Sequence, residues 1–210
     1  MSIRSSLCPG RDCPRCPRLV AFRQENRQQH PGWHNAPVPS FGVLTARLLI
    51  VGLAPGLRGA NATGRPFTGD WAGDLLYGTL LGKGLAHGTY LERADDGLEL
   101  IDCRITNAVR CVPPANRPTS AEAAACRPFL AEEMAAMPRL QAILAIGGFA
   151  HDAVLAARGL KRNGFRFAHG AHHILPDGLS MIDSYHCSRL NTNTGRLTEA
   201  MFQQVVDQVR

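Results

Sequence analysis

Short apolar runs alternate along the chain with longer segments of helical periodicity. Four runs have the length and composition of strands buried on both faces: 48–51, 101–106, 142–146 and 179–183. Three segments between them carry helical patterns: 71–85, 120–137 and 148–157. Apolar residues at helical spacing also predict a final amphipathic helix from Arg196 onward. Strands that alternate with helices predict an α/β fold, a three-layer α/β/α arrangement around a central, mostly parallel four-stranded sheet.

The first forty residues lack this alternation. They are rich in Cys, Pro, Arg and Gln, with one predicted helix at about 17–28. The chain has 210 residues, 45% of them hydrophobic and 19% charged, which suffices for one well-filled core. We therefore expect a single domain over 1–210, with an N-terminal cysteine-bearing segment at about 1–40.

Charge and hydropathy bear on partners and location. The formal net charge of +6 comes mainly from arginine, the better bidentate ligand for phosphate, and favours a polyanionic partner. The N-terminus has no apolar core of a signal peptide, and no stretch approaches the ~20 apolar residues of a membrane span. We expect a cytoplasmic protein that has no membrane partner.

The segment after the first strand, residues 52–70, is a long glycine-rich loop. Its glycines allow the backbone to approach a ligand closely, and Asp70 is placed to cap the helix that follows. Ligands of open parallel sheets bind beyond the carboxyl ends of the strands, so Phe67 and Asp70 would lie at the mouth of that crevice. The alternative is an ordinary strand, loop and helix, with Asp70 as a cap only.

Seven cysteines in a reducing compartment indicate metal binding more than disulfides. Cys13 and Cys16 form a C-x2-C pair ahead of a predicted helix, and Cys111 and Cys126 lie far away in sequence. Four such thiolates suit either a structural zinc ion or an iron–sulfur cluster. Cys8 is a possible substitute ligand.

Five sequence motifs together resemble one known family. They are Cys-x-x-Cys-Pro-Arg-Leu-Val-Ala-Phe-Arg at 13–23, Gly-Leu-Ala-Pro-Gly at 52–56, Gly-Arg-Pro-Phe-Thr-Gly-Asp at 64–70, Asn-Ala-Val-Arg-Cys-x-Pro-Pro at 107–114, and Ser-Tyr-His-Cys-Ser-Arg-Leu-Asn-Thr-Asn-Thr-Gly-Arg-Leu-Thr at 184–198. In this order they resemble the type-5 uracil-DNA glycosylases. The resemblance implies a base-excision repair enzyme that hydrolyses the N-glycosidic bond of uracil, and of other deaminated bases such as hypoxanthine or xanthine, leaving an abasic site. It also implies a structural [4Fe-4S] cluster on Cys13, Cys16, Cys111 and Cys126.

The chemistry of such an enzyme suggests a role for each site residue. Asp70 would stabilise the oxocarbenium-like sugar and orient water, and His186 would donate to the leaving base. The base itself would be held by four residues, through stacking on an aromatic ring, backbone amides and a side-chain amide: Phe67, Gly52, Leu53 and Asn107. The alternatives are a buried structural histidine at 186 and a strand-end residue bonded to nearby backbone at 107.

Residues 188–196 offer hydroxyls, amides and two arginines after His186. The predicted DNA contacts are Ser188, Arg189, Leu190, Asn191, Thr194 and Arg196. Leu190 would wedge into the duplex, or else pack inward as loop leucines commonly do. A basic and aromatic stretch at 161–173 is either a second DNA-facing segment or a solvated turn with packed phenylalanines; its adjacent histidines, 172 and 173, are not predicted to bind metal.

The sequence leaves two other classes of function open. One is a DNA-binding module that recognises damage without cleavage. The other is a small-molecule α/β enzyme with a metal site, although residues 52–56 match neither G-x-G-x-x-G nor a P-loop. The leading prediction is a monomeric glycosylase whose partner is DNA containing deaminated bases.

Overall fold

A computed structural model describes residues 7–209 of the chain. Its strands are β1 (Leu48–Gly52), β2 (Ala86–His87), β3 (Glu99–Leu100), β4 (Cys103–Asn107), β5 (Ala142–Ile146), β6 (His172–Ile174) and β7 (Ser180–Ser184). Its helices are α1 (Pro17–Gln29), α2 (Ala60–Thr63), α3 (Trp71–Gly82), α4 (Ser120–Ala135), α5 (Gly148–Ala157), α6 (Arg189–Asn193) and α7 (Glu199–Asp207), with 3₁₀ turns at Pro114–Asn116 and Arg162–Gly164. None of the helices in this described part is long and apolar enough to cross a membrane.

The central sheet has five strands in the order β4-β1-β5-β7-β6, so the prediction of four strands is wrong. The four predicted strands are parallel, and β6 joins the edge antiparallel to β7. β6 is only three residues long and its side chains are exposed or half-buried, so it carries too little apolar pattern to be recognised. The three-layer α/β/α fold with a mostly parallel sheet is confirmed.

Successive side chains of each central strand point to opposite faces of the sheet, so each strand contributes to two cores. Leu48 and Ile50 of β1 pack with α3 and α7, whereas Leu49 and Val51 pack with α4 and α5. Because all five residues of β1 are buried, the strand reads as a continuous apolar run rather than an alternating one. The sheet therefore lies between two helical layers, and its C-terminal edge is free to carry a site.

Side-chain hydrogen bonds cap the starts of two long helices. Thr119 and Glu122 form a capping box at α4, and the Asp70 side chain accepts a hydrogen bond from the Gly73 amide at α3. Three helices are shorter than predicted: α3 ends at Gly82, α4 ends at Ala135, and α7 begins only at Glu199, capped by Thr198. Within the irregular-looking stretch after α3, β2 pairs with β3.

The N-terminal segment is joined to the start of α4. Arg18 of α1 donates to both carboxylate oxygens of Glu122, at 2.8 and 2.7 Å. Leu19 on the same helix is buried with Cys111, Cys126 and Phe129. These contacts bring the first two cysteines of the predicted ligand set toward the last two.

Candidate active site

A cavity of about 600 Å³ opens at the C-terminal edge of the sheet. Its wall comes from the ends of β1, β4 and β7 and from the loops that follow them. The lining residues are Leu53, Ala54, Gly56, Leu57, Arg58, Gly59, Phe67, Asp70, Trp71, Ala72, Asn107, Asn116, His186, Ser188 and Arg189. Asp70, His186, Phe67 and Asn107, which are far apart in sequence, therefore face one space, as expected for residues that follow parallel strands.

Asp70 presents its two carboxylate oxygens to different surroundings. Oδ1 accepts from the Gly73 amide at 3.2 Å, which is the helix cap. Oδ2 lies against the first loop, where a Cβ built on Gly59 would come within 2.6 Å of it, so only glycine fits there. Burial raises the pKa of Asp70, while the amides of Gly73 and Ala72 oppose that shift. The carboxylate is thus oriented by the helix and desolvated beside the cavity.

Phe67 and Asn107 form the floor of the cavity around Gly52. A Cβ on Gly52 would lie 2.5 Å from both Phe67 Cζ and Asn107 Oδ1, so this glycine allows the two side chains to meet. Phe67 has a positive φ of 53°, which is strained for a residue with a side chain. Its ring is only 6% exposed, which limits it to stacking through the cavity. The Asn107 amide makes no hydrogen bond to other residues in 7–209 and is free for a ligand.

Gly52 and Leu53 are fixed through their carbonyl groups. These accept from the amides of Ala108 and Val109, at 2.9 and 3.1 Å. The hydrogen bonds continue the pairing of β1 with β4 by one residue past the end of β1 and by two past the end of β4. The backbone next to Asn107 is therefore rigid, and the Leu53 side chain lines the cavity.

His186 follows the end of β7 and is neutral at physiological pH. Burial lowers its pKa to about 4, because desolvation disfavours the charged form. Its ring centre lies 6.4 Å from that of Phe67 with an angle of 27° between the planes. A neutral imidazole has one N–H donor, which can serve a base oxygen. The carbonyl of His186 is held by the Asn191 amide group at 2.8 Å.

The loop after His186 carries the predicted DNA contacts, and α6 occupies its centre. Leu190 is 73% exposed, which excludes the alternative that it packs inward. Arg189 and Arg196 are also exposed, and Arg196 lies 4.6 Å from the centre of the Tyr185 ring. Asn191 and Thr194 already hydrogen-bond within the loop, which indicates a structural contribution for both.

Three residues of the cavity wall were not predicted from the sequence. Arg58 is exposed in the first loop, Trp71 directly follows Asp70, and Asn116 adopts a positive φ of 55° in the turn between Cys111 and Cys126. Arg58 lies in a predicted loop, Trp71 at a predicted helix start and Asn116 between two predicted elements, but none belongs to a pattern with its own chemistry. Only the strain at Asn116, visible in the structure alone, marks that position.

The four predicted cysteine ligands surround one small cavity. It is lined by Cys13, Cys16, Cys111 and Cys126 together with Leu19, Arg23 and Phe129. Two N–H donors face sulfur: Arg23 Nη1 lies 3.8 Å from Cys111 Sγ, and the Arg110 amide lies 3.5 Å from Cys126 Sγ. Burial raises the pKa of Cys111 to about 12, which makes a thiolate there unstable without a positive partner. Arg23 Nε is buried without a hydrogen-bond partner in the described residues.

A second group of ionisable side chains, which the sequence did not predict, is formed by His151 of α5, His173 of β6 and Asp183 of β7. His151 Nδ1 is 2.8 Å from Asp183 Oδ1, and His173 Nε2 is 3.1 Å from Asp183 Oδ2. His151 Nε2 also faces the Phe165 carbonyl at 3.0 Å, so both ring nitrogens face acceptors. Burial lowers the pKa of His151, but Asp183 outweighs it and the net shift is upward. These contacts pair two histidines with one buried aspartate.

The basic and aromatic stretch at 161–173 is partly packed inward. Phe165 and Phe167 contact His173 and His151 edge-on, at 5.9 and 5.6 Å between ring centres. Arg162 pairs with Asp152 at 2.7 Å. This arrangement favours the solvated turn with packed phenylalanines over a second DNA-facing segment.

Comparison with known proteins identifies the family. The family model of the uracil DNA glycosylase superfamily matches residues 39–210, and the chain belongs to that superfamily. The type-5 uracil-DNA glycosylase of Thermus thermophilus is 46% identical over 200 residues, covering 92% of this chain and 90% of the relative. Those of Mycobacterium leprae and Pyrobaculum aerophilum are 44% and 41% identical, over 92% and 93% of this chain and 88% and 86% of theirs. Within the superfamily, the chain is a member of the type-5 family, as its motifs predicted.

Proposed function

We propose that this protein is a DNA glycosylase that hydrolyses the N-glycosidic bond of uracil in DNA and leaves an abasic site. One observation carries the proposal: a carboxylate, a neutral imidazole and an unpaired amide face a single cavity whose floor is an aromatic ring. Family membership supports the same activity. A single domain over 1–210, acting as a monomer on DNA in the cytoplasm, is part of the proposal.

The proposed chemistry distributes charge between two residues. Departure of the base leaves a cationic sugar and an anionic base. Asp70 Oδ2, which is not the oxygen that accepts from the Gly73 amide, faces the sugar and stabilises the positive charge while orienting water. His186 donates its N–H to the oxygen of the leaving base. Because burial keeps His186 neutral, it acts as a hydrogen-bond donor and does not transfer a proton.

Recognition of the base relies on stacking and on one polar edge. Phe67 stacks against the extruded base, and Asn107 donates to and accepts from the uracil imide edge. Backbone amides at Gly52 and Leu53 meet the base carbonyls. The cavity volume of about 600 Å³ is in the middle of the range for small-molecule sites, so hypoxanthine and xanthine are proposed as further substrates.

A [4Fe-4S] cluster is proposed on Cys13, Cys16, Cys111 and Cys126. A single zinc ion with bonds of about 2.3 Å would hold its four sulfurs only ~3.8 Å apart. In the described residues, no three of these cysteine sulfurs lie within 4.8 Å of one another, since the one such group of side chains is His151, His173 and Asp183. The cysteine sulfurs are therefore spaced more widely than a single zinc ion requires. N–H donors aimed at sulfur, from Arg23 and Arg110, suit a larger cluster. The cluster would supply a cross-link between the N-terminal segment and α4.

The test is direct. Purified protein is incubated with oligonucleotides that carry uracil, hypoxanthine or xanthine, and abasic sites are then cleaved with alkali. Strand cleavage at uracil is the expected result, and cleavage at hypoxanthine or xanthine would extend the proposal to those bases. Binding without cleavage would instead identify a module that recognises damage. Iron and zinc are measured in the same preparation, and stoichiometric zinc without iron would exclude the cluster.

A further inference from the structure

Trp71 connects the two parts of the site. It is the first residue of α3 and directly follows Asp70, yet its side chain remains 48% exposed at the cavity wall. Two residues of α6 contact it. The indole Nε1 donates to Thr192 Oγ1 at 2.7 Å, and the Arg189 guanidinium carbon lies 5.5 Å from the centre of the indole ring.

α6 has few other attachments. It is five residues long, none of them buried, and Ser188 at its N-cap makes no side-chain cap hydrogen bond. A helix this short is unstable by itself in water, because its nucleation cost is not recovered. Apart from Trp71, the hydrogen bonds that leave it within the described chain include Asn191 to the His186 carbonyl and the Leu197 amide to the Asn191 carbonyl. Within residues 7–209, the hydrogen bond and the cation–π contact that join α6 to α3 both come from this one indole.

We propose that Trp71 is a positioning residue that holds α6 so that Leu190 and Arg189 face duplex DNA at the cavity mouth. Its hydrogen bond fixes Thr192, its ring fixes Arg189, and Leu190 lies between them on the exposed side. Trp71 begins the helix that Asp70 caps. It therefore holds the loop at 188–196 in a fixed position relative to the Asp70 carboxylate. The inference rests on the proposed DNA role of this loop.

A wedge matters when a base must be taken out of a paired duplex, and much less when the base is already unpaired. Trp71→Ala should therefore slow single-turnover excision of uracil paired with adenine by about 10-fold, and excision from single-stranded DNA by no more than about 2-fold. Trp71→Phe and Thr192→Val each remove the indole hydrogen bond and keep most of the volume, and Thr192→Val also removes the bond from Thr192 Oγ1 to the backbone of its own helix. Each should cost about 3-fold on paired DNA, and the double variant should be no slower than Thr192→Val alone.

The second tryptophan provides the matched control. Trp33 stacks on His30 at 3.8 Å and does not line the cavity, so Trp33→Phe should excise uracil at the wild-type rate. That variant also leaves Trp71 as the sole tryptophan of the chain. In this background, Thr192→Val should shift the Trp71 fluorescence emission before DNA is added. An unchanged spectrum would show that the hydrogen bond does not form and would overturn the inference.

Leu190→Ala separates this inference from the proposals on which it rests. A wild-type protein that fails to cleave uracil would refute the proposed function. A Leu190→Ala variant that loses activity equally on paired and single-stranded DNA would refute the wedge. If Leu190→Ala is selective for paired DNA whereas Trp71→Ala slows both substrates equally, the wedge is supported and the positioning role of Trp71 is refuted.

Discussion

Replacing Asp70 with asparagine separates the two tasks of one carboxylate. Asparagine caps helices about as well as aspartate, so the hydrogen bond from Gly73 should survive. The negative charge is lost. A unit charge about 4 Å from a cationic centre contributes about 4 kcal/mol at an effective dielectric of ~20, which is about a thousandfold in rate. The amide dipole retains part of this, so we expect excision to fall by at least about a hundredfold while DNA affinity holds.

The same substitution should preserve or raise the free energy of unfolding, although it lowers the rate of excision. Burial raises the pKa of Asp70, so the ionised form is disfavoured in the folded state. Between its unfolded pKa and the raised folded pKa, the native state binds more protons, and the wild type loses stability as pH rises through that window. The asparagine variant carries no such charge. Urea unfolding at pH 7 should therefore find Asp70→Asn at least as stable as the wild type.

Single-turnover alkali cleavage at saturating enzyme provides the rate, and fluorescence anisotropy provides the affinity. Asp74→Asn is the matched control, because Asp74 is an exposed carboxylate in the first turn of the same helix. It should excise uracil within about 2-fold of the wild type. Wild-type cleavage by Asp70→Asn would reduce Asp70 to a cap. A loss of rate that accompanies a loss of folding stability would refute the separation of the two tasks.

Other predictions test the remaining parts of the site. Asn107→Ala should slow uracil excision by roughly 10- to 100-fold, and hypoxanthine excision clearly less, because a purine presents a different edge; equal losses would assign Asn107 to the shared chemistry or the fold. Gly59→Ala should lower the single-turnover rate without weakening DNA binding, since its Cβ would displace the Asp70 carboxylate; an unchanged rate would show that the loop yields. Cys111→Ser should reduce both iron content and thermal stability, and retention of full iron would remove it from the ligand set. In the pH–rate profile, the raised pKa of Asp70 should produce an acid limb, and the pKa of about 4 at His186 predicts no inflection near pH 6.5.

The fold was predictable wherever apolar patterning and local capping agree. β5 has the predicted bounds, and β1 extends one residue past its apolar run, because buried parallel strands are continuous apolar runs. The capping box at Thr119 fixed the start of α4 for the same local reason. β6 and α6 were missed because tertiary contacts form them: β6 pairs with the edge of β7, and α6 is held by Trp71 and Asn191.

The residues of the site also differ in whether the local sequence could locate them. Asn107 ends a strand, and Asp70 and His186 lie in segments that follow two others. The parallel topology brings the ends of those strands together, so the sequence alone could locate these residues. Asn116 lies on a turn whose path depends on the packing around Cys111 and Cys126, and no local pattern describes that path. The His151 and Asp183 pair is equally non-local, since its partners come from α5 and β7.

A helix cap and a catalytic carboxylate are alternatives for Asp70 in the sequence, but the structure makes the two compatible. A capping aspartate uses one oxygen and leaves the other to point away from the helix axis. In most proteins that second oxygen meets water. Here the loop contains glycine where a side chain would strike it, with a Cβ on Gly56 or Gly59 coming within 2.8 or 2.6 Å. The glycines of the first loop thus make room for a desolvated carboxylate, which explains a glycine-rich loop that matches no phosphate-binding motif.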